Sequence, residues 1–235
     1  MLIRQTPKGS DPNAPVRRDE LHGEGAVRGT NRMEAFADAV FAIAFTLPIV
    51  EIELPEESTG AGLARELVHL WPSYLGFVLA SFVIGLYWVH HHFSGAIYRT
   101  TGHWFLVATV GFLTVLSFIE FPARTFAEHL ADADARITAT RYWVISLAVL
   151  SWAWQMKWIV GRVRGQVDAR LERAYVERLN HRYWGFVLLN TVAAGVVLVS
   201  WQAGLLLSTL LTLSLLWPPE TPKYITEAPS VEGEN

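Results

Sequence analysis

The apolar residues of this chain gather into runs of roughly 16 to 22 residues, the length an α-helix needs to cross a hydrocarbon core of about 30 Å. In such a layer no backbone amide can turn to water, so each run must be helical and satisfy its own hydrogen bonds. Composition agrees: of 235 residues 51% are hydrophobic and only 17% charged, against about 25% charged in soluble domains. The formal net charge is -3 with acids and bases interleaved, which leaves no basic surface for a phosphate backbone and excludes nucleic acid as a partner. The absence of cysteine removes disulfides, thiolate zinc sites, iron-sulfur ligation and cysteine nucleophiles together.

The expected fold class is therefore an all-α integral membrane protein. Residues 1–30 are rich in charge, Gly and Pro and read as a flexible cytoplasmic tail. Residues 31–217 form the membrane domain, and 218–235 a second flexible tail. The spacing predicts helix one over 31–52, helix two over 63–93, helix three over 103–121 and helix four over 142–159, with a polar stretch over 161–182. The block at 183–217 would be about 52 Å long as one helix, so it must fold back, and Trp201, Gln202, Ala203 and Gly204 mark the hairpin. Six transmembrane helices result.

Positive charge sets the orientation. With both termini cytoplasmic, fifteen of the nineteen lysines and arginines fall inside, seven of them from the end of helix four, Lys157, to the start of helix five. The opposite side receives Arg65, Arg124, Arg136 and Arg141 among many acids, including Glu51, Glu53, Glu56 and Glu57. Trp71, Trp104, Trp143, Trp158, Trp184, Trp201 and Trp217 stand near predicted span ends, where indoles anchor at the interface.

Helix one carries the most information. At about 100° per residue, Phe36, Ile43, Leu47 and Val50 fall on one narrow stripe. Asp38, near the cytoplasmic end, is costly if it faces lipid and needs a partner inside the bundle. Arg32 and the run His90, His91, His92 lie at matching depth, and Trp88 offers an indole donor, so these residues make a candidate polar network. The three histidines point about 100° apart on a helix and do not suit a shared metal ion. No metal site or cofactor is expected.

The residues of helix one resemble those of the transmembrane protein 175 family, the lysosomal potassium channel and its bacterial relatives. The family pattern is an arginine, three residues, Phe-Ser-Asp, then an Ala-Ile-Ala-x-Thr-Leu run ending in Glu-Ile. Arg32, Phe36, Asp38, Ala42, Ile43, Ala44, Thr46, Leu47, Glu51 and Ile52 match it, whereas Ala37 replaces the serine and Pro48 a leucine. Trp88 followed by His91 or His92 is similar to the family's second helix. The resemblance implies a homotetrameric potassium channel of the bacterial plasma membrane, multi-pass, with helix one of each subunit lining a central pore and potassium as the only permeant partner besides lipid. Ile43, Leu47 and Val50 would then form the constriction, flanked by Thr46. Arg32, Phe36, Asp38, Trp88, His91 and His92 would form the helix-one network, with Glu51 and Glu53 at the outer mouth.

An aliphatic ring gates by excluding water, because an ion shedding its hydration shell there gains no ligand in return. Pro48 has no N–H, which deprives the Ala44 carbonyl of its helical partner and predicts a kink between Leu47 and Val50. The alternative readings are a proton-conducting channel or a secondary transporter using the same bundle. No Gly-x-Ser-x-Gly, His-Glu-x-x-His or paired intramembrane aspartates occur, so an enzyme is not expected.

Overall fold

A computed structural model describes residues 29–56 and 59–225. The predicted tail over 1–30 lies outside the described residues except for its last two positions, as do 226–235 of the C-terminal tail. Among the described residues the regular structure is helical: α1 Asn31–Thr46, α2 Gly60–His69, α3 Trp71–Gly95, α4 His103–Phe118, α5 Glu120–Glu128, α6 Ala135–Val163, α7 Arg173–Val199 and α8 Trp201–Ser214, with a 3-10 turn at Leu47–Glu51 after α1. Five runs are long and apolar enough to cross a membrane: Asn31–Glu51, Trp71–Gly95, His103–Glu128, Ala135–Val163 and Arg173–Val199.

Several boundaries differ from the sequence reading, each for a local reason. The predicted second helix is two helices broken at Leu70, because Pro72 has no N–H to give and starts a helix well. The third breaks at Ile119, where Pro122 cannot bond the Phe118 carbonyl, and α5 then runs on to Glu128. The fourth starts seven residues earlier than expected, at Ala135. Its early arginines have work there: Arg141 donates to the carbonyls of Val197 (3.4 Å) and Leu198 (2.9 Å), which the end of α7 leaves without intrahelical partners. Arg136 stacks over the Trp201 ring at 4.9 Å. The stretch 173–182, read as polar connector, is the first part of α7.

The chain turns at Ser200, one residue before the predicted hairpin cluster, and the Ser200 hydroxyl accepts from the Ala203 amide. At Gly204 the two helices nearly touch: a Cβ there would sit 2.5 Å from the Val197 Cα. The 14 residues of α8 span about 21 Å, less than a hydrocarbon core. It nevertheless carries the chain from the Arg141 end of the bundle to the opposite end, where the Leu215 carbonyl accepts a 2.9 Å hydrogen bond from His90 Nε2.

That opposite end gathers the start of α1, the α3–α4 loop, the α6–α7 loop and residues 218–225. Arg99 donates to the Gln166 carbonyl and Asp168 to that of Ile97. Glu172 donates to Lys223, Ile225 to Arg170, and the Tyr224 hydroxyl to Ala96. The described part of the C-terminal segment is thus laid against the bundle. Asp168, outside the spans, accepts from the Arg170 guanidinium (2.8 Å) and backbone amide (2.9 Å), and this holds its carboxyl below the usual carboxylate range.

Two apolar cores fill the bundle. The larger joins Phe41, Ile84, Phe112, Leu116, Leu147 and Trp154 from α1, α3, α4 and α6; the smaller joins Met33, Tyr98, Phe105, Trp158 and Tyr175. Of the tryptophans expected at the interface, Trp71, Trp104 and Trp217 are exposed, but Trp143 and Trp158 are buried. Trp143 stacks on Phe126, and Trp158 donates to Asn180 Oδ1 at 3.0 Å, so each serves packing rather than anchoring.

Candidate functional site

α1 is attached to the bundle along a narrow strip, formed by Met33, Ala37, Phe41 and Ala44 with Pro48 below them. Two of these, Ala37 and Ala44, are fully or nearly fully buried alanines, the small residues through which membrane helices approach closely. Apart from half-buried Glu34 and Val40, the rest of the helix surface is exposed in the single chain. The predicted ridge lies there: Phe36 is 54% exposed, Ile43 58%, Leu47 48% and Val50 71%. Thr46, Asp38 and Arg32 are exposed as well. This uncovered surface therefore mixes large aliphatic side chains with polar ones, unlike a purely lipid-facing helix.

The helix changes form at Pro48. The α-helix ends at Thr46 and a 3-10 turn follows, with Pro48 in its first turn. Carbonyls just before the break gain side-chain partners. Ser81 of α3 donates to the Phe45 carbonyl at 3.1 Å, and the Thr46 hydroxyl turns back onto the carbonyls of Ala42 (2.9 Å) and Ile43 (3.1 Å). Thr46 thus spends its proton on its own helix and presents only oxygen lone pairs outward. The change of helix type re-aims Leu47 and Val50 relative to Ile43, since a 3-10 turn advances about 120° per residue rather than about 100°.

The residues proposed around Asp38 separate into two groups. Trp88 Nε1 donates to Asp38 Oδ1 at 3.1 Å, and His92 stacks on Trp88 with centroids 5.8 Å apart. Arg32 makes no ion pair among the described residues, and Phe36 points away with the exposed ridge. His91 lies elsewhere: it is buried behind α1, 5.3 Å from the Phe41 ring, and its Nδ1 takes a 2.9 Å hydrogen bond from Lys157 Nζ.

Lys157 is the site residue that sequence reasoning missed. The sequence places it near the end of helix four with its charge grouped to the cytoplasmic segment beyond, yet it is 1% exposed in the body of α6. Its ammonium lies over the rings of Trp154 (5.0 Å), Tyr98 (5.5 Å) and Phe112 (5.8 Å), a cation–π enclosure completed by His91. Because Nδ1 accepts, the His91 hydrogen sits on Nε2, which has no partner among the described residues. The available signal was position: Lys157 lies within a largely apolar helix and is followed by Trp158, Ile159 and Val160.

At the other end Glu51 is paired with Arg124, which also holds Glu128 at 2.6 Å. Arg124 thereby ties the end of the α1 segment to α5. Of the two predicted outer carboxylates, Glu51 has its charge compensated, whereas Glu53 is exposed and unpaired among the described residues. The same end is close-packed, since a Cβ on Gly76 of α3 would sit 3.1 Å from the Arg124 Cα.

Residues 32–122, which hold α1, the ridge, Trp88 and the histidines, match the family described as endosomal/lysosomal potassium channel TMEM175. A protein named potassium channel from Chamaesiphon minutus is 39% identical over 122 residues, covering 51% of this chain and 60% of that relative. Another, from Streptomyces collinus, is 32% identical over 129 residues, covering 55% and 63%. The matched stretches thus span about three fifths of the length of these curated relatives. A crystal structure described as a lysosomal potassium-selective channel TMEM175 homolog, also from Chamaesiphon minutus, superposes with a TM-score of 0.66 at 28% identity, over 80% of this chain and 96% of that one. With the sequence likeness centred on its first helices and the fold likeness running through four fifths of its length, the chain is similar to the TMEM175 family in both respects.

Proposed function

We propose that this chain is a potassium-leaning cation channel in which several copies, four by the resemblance to bacterial relatives, set α1 around a common axis. Ile43, Leu47 and Val50 then face one another as a dewettable constriction, with Thr46 beside it and Glu53 drawing cations to the outer mouth. The observation that carries this reading is the uncovered aliphatic ridge on a helix whose buried residues form the narrow strip Met33, Ala37, Phe41 and Ala44 on another face. One copy cannot enclose an axis with a single stripe, and a symmetric ring of copies both closes the path and covers the ridge. The names of the relatives, potassium channel in both cases, favour the same ion.

The network on Asp38 and Trp88 is assigned to fixing the inner half of α1 against α3, with His92 stacked behind the indole. We place both termini on the cytoplasmic side of a bacterial plasma membrane, with α8 as a short sixth span. In this arrangement the basic loops share one end of the bundle, as the positive-inside rule demands. Potassium is the permeant ion, and no resident cofactor is assigned.

The test is the reversal potential of the purified full-length protein in planar bilayers under opposed potassium, sodium and proton gradients. A potassium-leaning reversal with unitary currents supports the channel. A reversal that follows the proton gradient assigns a proton pathway, and saturable flux without unitary current assigns a transporter.

A further inference from the structure

Between α3, α6, α7 and α8, toward the end that carries both described termini, lies a cavity of about 380 Å³. Tyr87, Trp154, Phe186 and Leu211 make it apolar, and His90 and Arg182 stand where it meets the surface. The wall is bare at Gly185, where a Cβ would meet no atom within 4 Å. A cavity of this size, oily inside with a few polar groups at one edge, has the form of a ligand pocket, typically roughly 300–1,000 Å³.

The charge at the edge narrows what the ligand is. The basic residues around Arg182 are matched: Arg173 pairs with Glu177 at 3.1 Å, and Glu220 takes Arg178 at 2.8 Å and Lys223 at 3.6 Å. Arg182 is exposed and forms no ion pair among the described residues. His90 has its Nε2 committed to the Leu215 carbonyl, which fixes the ring at the rim. An uncompensated guanidinium above an apolar slot in a membrane-spanning bundle is complementary to an anionic head joined to a hydrocarbon chain.

We infer that this cavity is a binding site for an anionic phospholipid, with the phosphate held at Arg182 beside His90 and one acyl chain lying between α7 and α8 past Gly185. The inference rests on the membrane-spanning reading and not on ion conduction. A protein that conducts potassium but holds no lipid would overturn it alone.

The experiment is native mass spectrometry of the full chain in detergent, titrated with phosphatidylglycerol or with phosphatidylcholine of the same acyl chains. The expected result is one phosphatidylglycerol retained per chain, with about tenfold weaker retention of phosphatidylcholine, the scale of one charge-assisted contact. Arg182→Gln is expected to lower phosphatidylglycerol to the phosphatidylcholine level, and Gly185→Phe, which fills the slot, to abolish retention of both. Equal retention by Gly185→Phe and the unaltered protein would overturn the site. So would a change in the mass of the assembly in Gly185→Phe, which would make the cavity a seat for a second copy, and so would an anionic preference undiminished in Arg182→Gln.

Discussion

Leu47→Asn is expected to raise potassium conductance about tenfold or more while leaving the assembly intact. Leu47 is half exposed in the single chain at the point where α1 passes into its 3-10 turn and belongs to neither apolar core, so the substitution disturbs little packing within the subunit. In the ring the same position faces its symmetry mates, and there the leucine offers a dehydrating ion no ligand. An amide restores two donors and an acceptor per copy, and relieving about 1.4–2.7 kcal/mol of desolvation at the narrowest point corresponds to a ten- to hundredfold change in rate. Ile43→Asn, one helical turn inward, should act in the same direction. Unitary conductance in planar bilayers checks both. An unchanged conductance in each variant would mean that the aliphatic ridge does not line the path.

The second large effect is expected at Lys157. Lys157→Ala removes the ammonium and its stem from beneath Trp154, Tyr98 and Phe112, leaves a cavity, and strips His91 Nδ1 of its donor. The combined loss is on the order of 3 kcal/mol. Lys157→Met keeps most of the volume without the charge and should cost clearly less, since a buried ion replaced by an apolar side chain of similar size is often tolerated. Thermal unfolding of the detergent-solubilised protein orders the variants, with Ala least stable. The two also separate packing from positioning. His91 presses on Phe41, at the centre of the strip that holds α1, so Lys157→Met should assemble normally yet alter the open probability. Wild-type stability in Lys157→Ala would remove the cluster from any structural role.

How far the sequence could be read depended on the range of the interaction involved. Bilayer spans are local properties of composition, so the five long helices stand out from their apolar runs, and the turn at Ser200 follows from a block too long for one crossing. The helix ends were less legible because arginines that look like connector residues belong to helices. Arg141 serves carbonyls fifty-six and fifty-seven residues away, and no local pattern reports that. The meeting of Asp38 with Trp88 could be anticipated from their shared depth on neighbouring helices, as it is a matter of register. The turning of His91 away from Asp38 toward Lys157 could not, because three consecutive histidines present every direction and only the packed bundle selects among them. The pairing of Glu51 with Arg124 was hidden in the same way, since both read as members of one loosely charged outer surface.

The absence of cysteine from the chain makes the most direct test available. With Leu47→Cys as the single thiol, cadmium added to a conducting bilayer should block the potassium current, because thiolates from several copies converge on one axis and bind the soft ion together. The unaltered protein should be insensitive. A Leu47→Cys channel whose current ignores cadmium, although the thiol reacts with a lipid-soluble reagent, would place this helix face against lipid and contradict the proposed pathway.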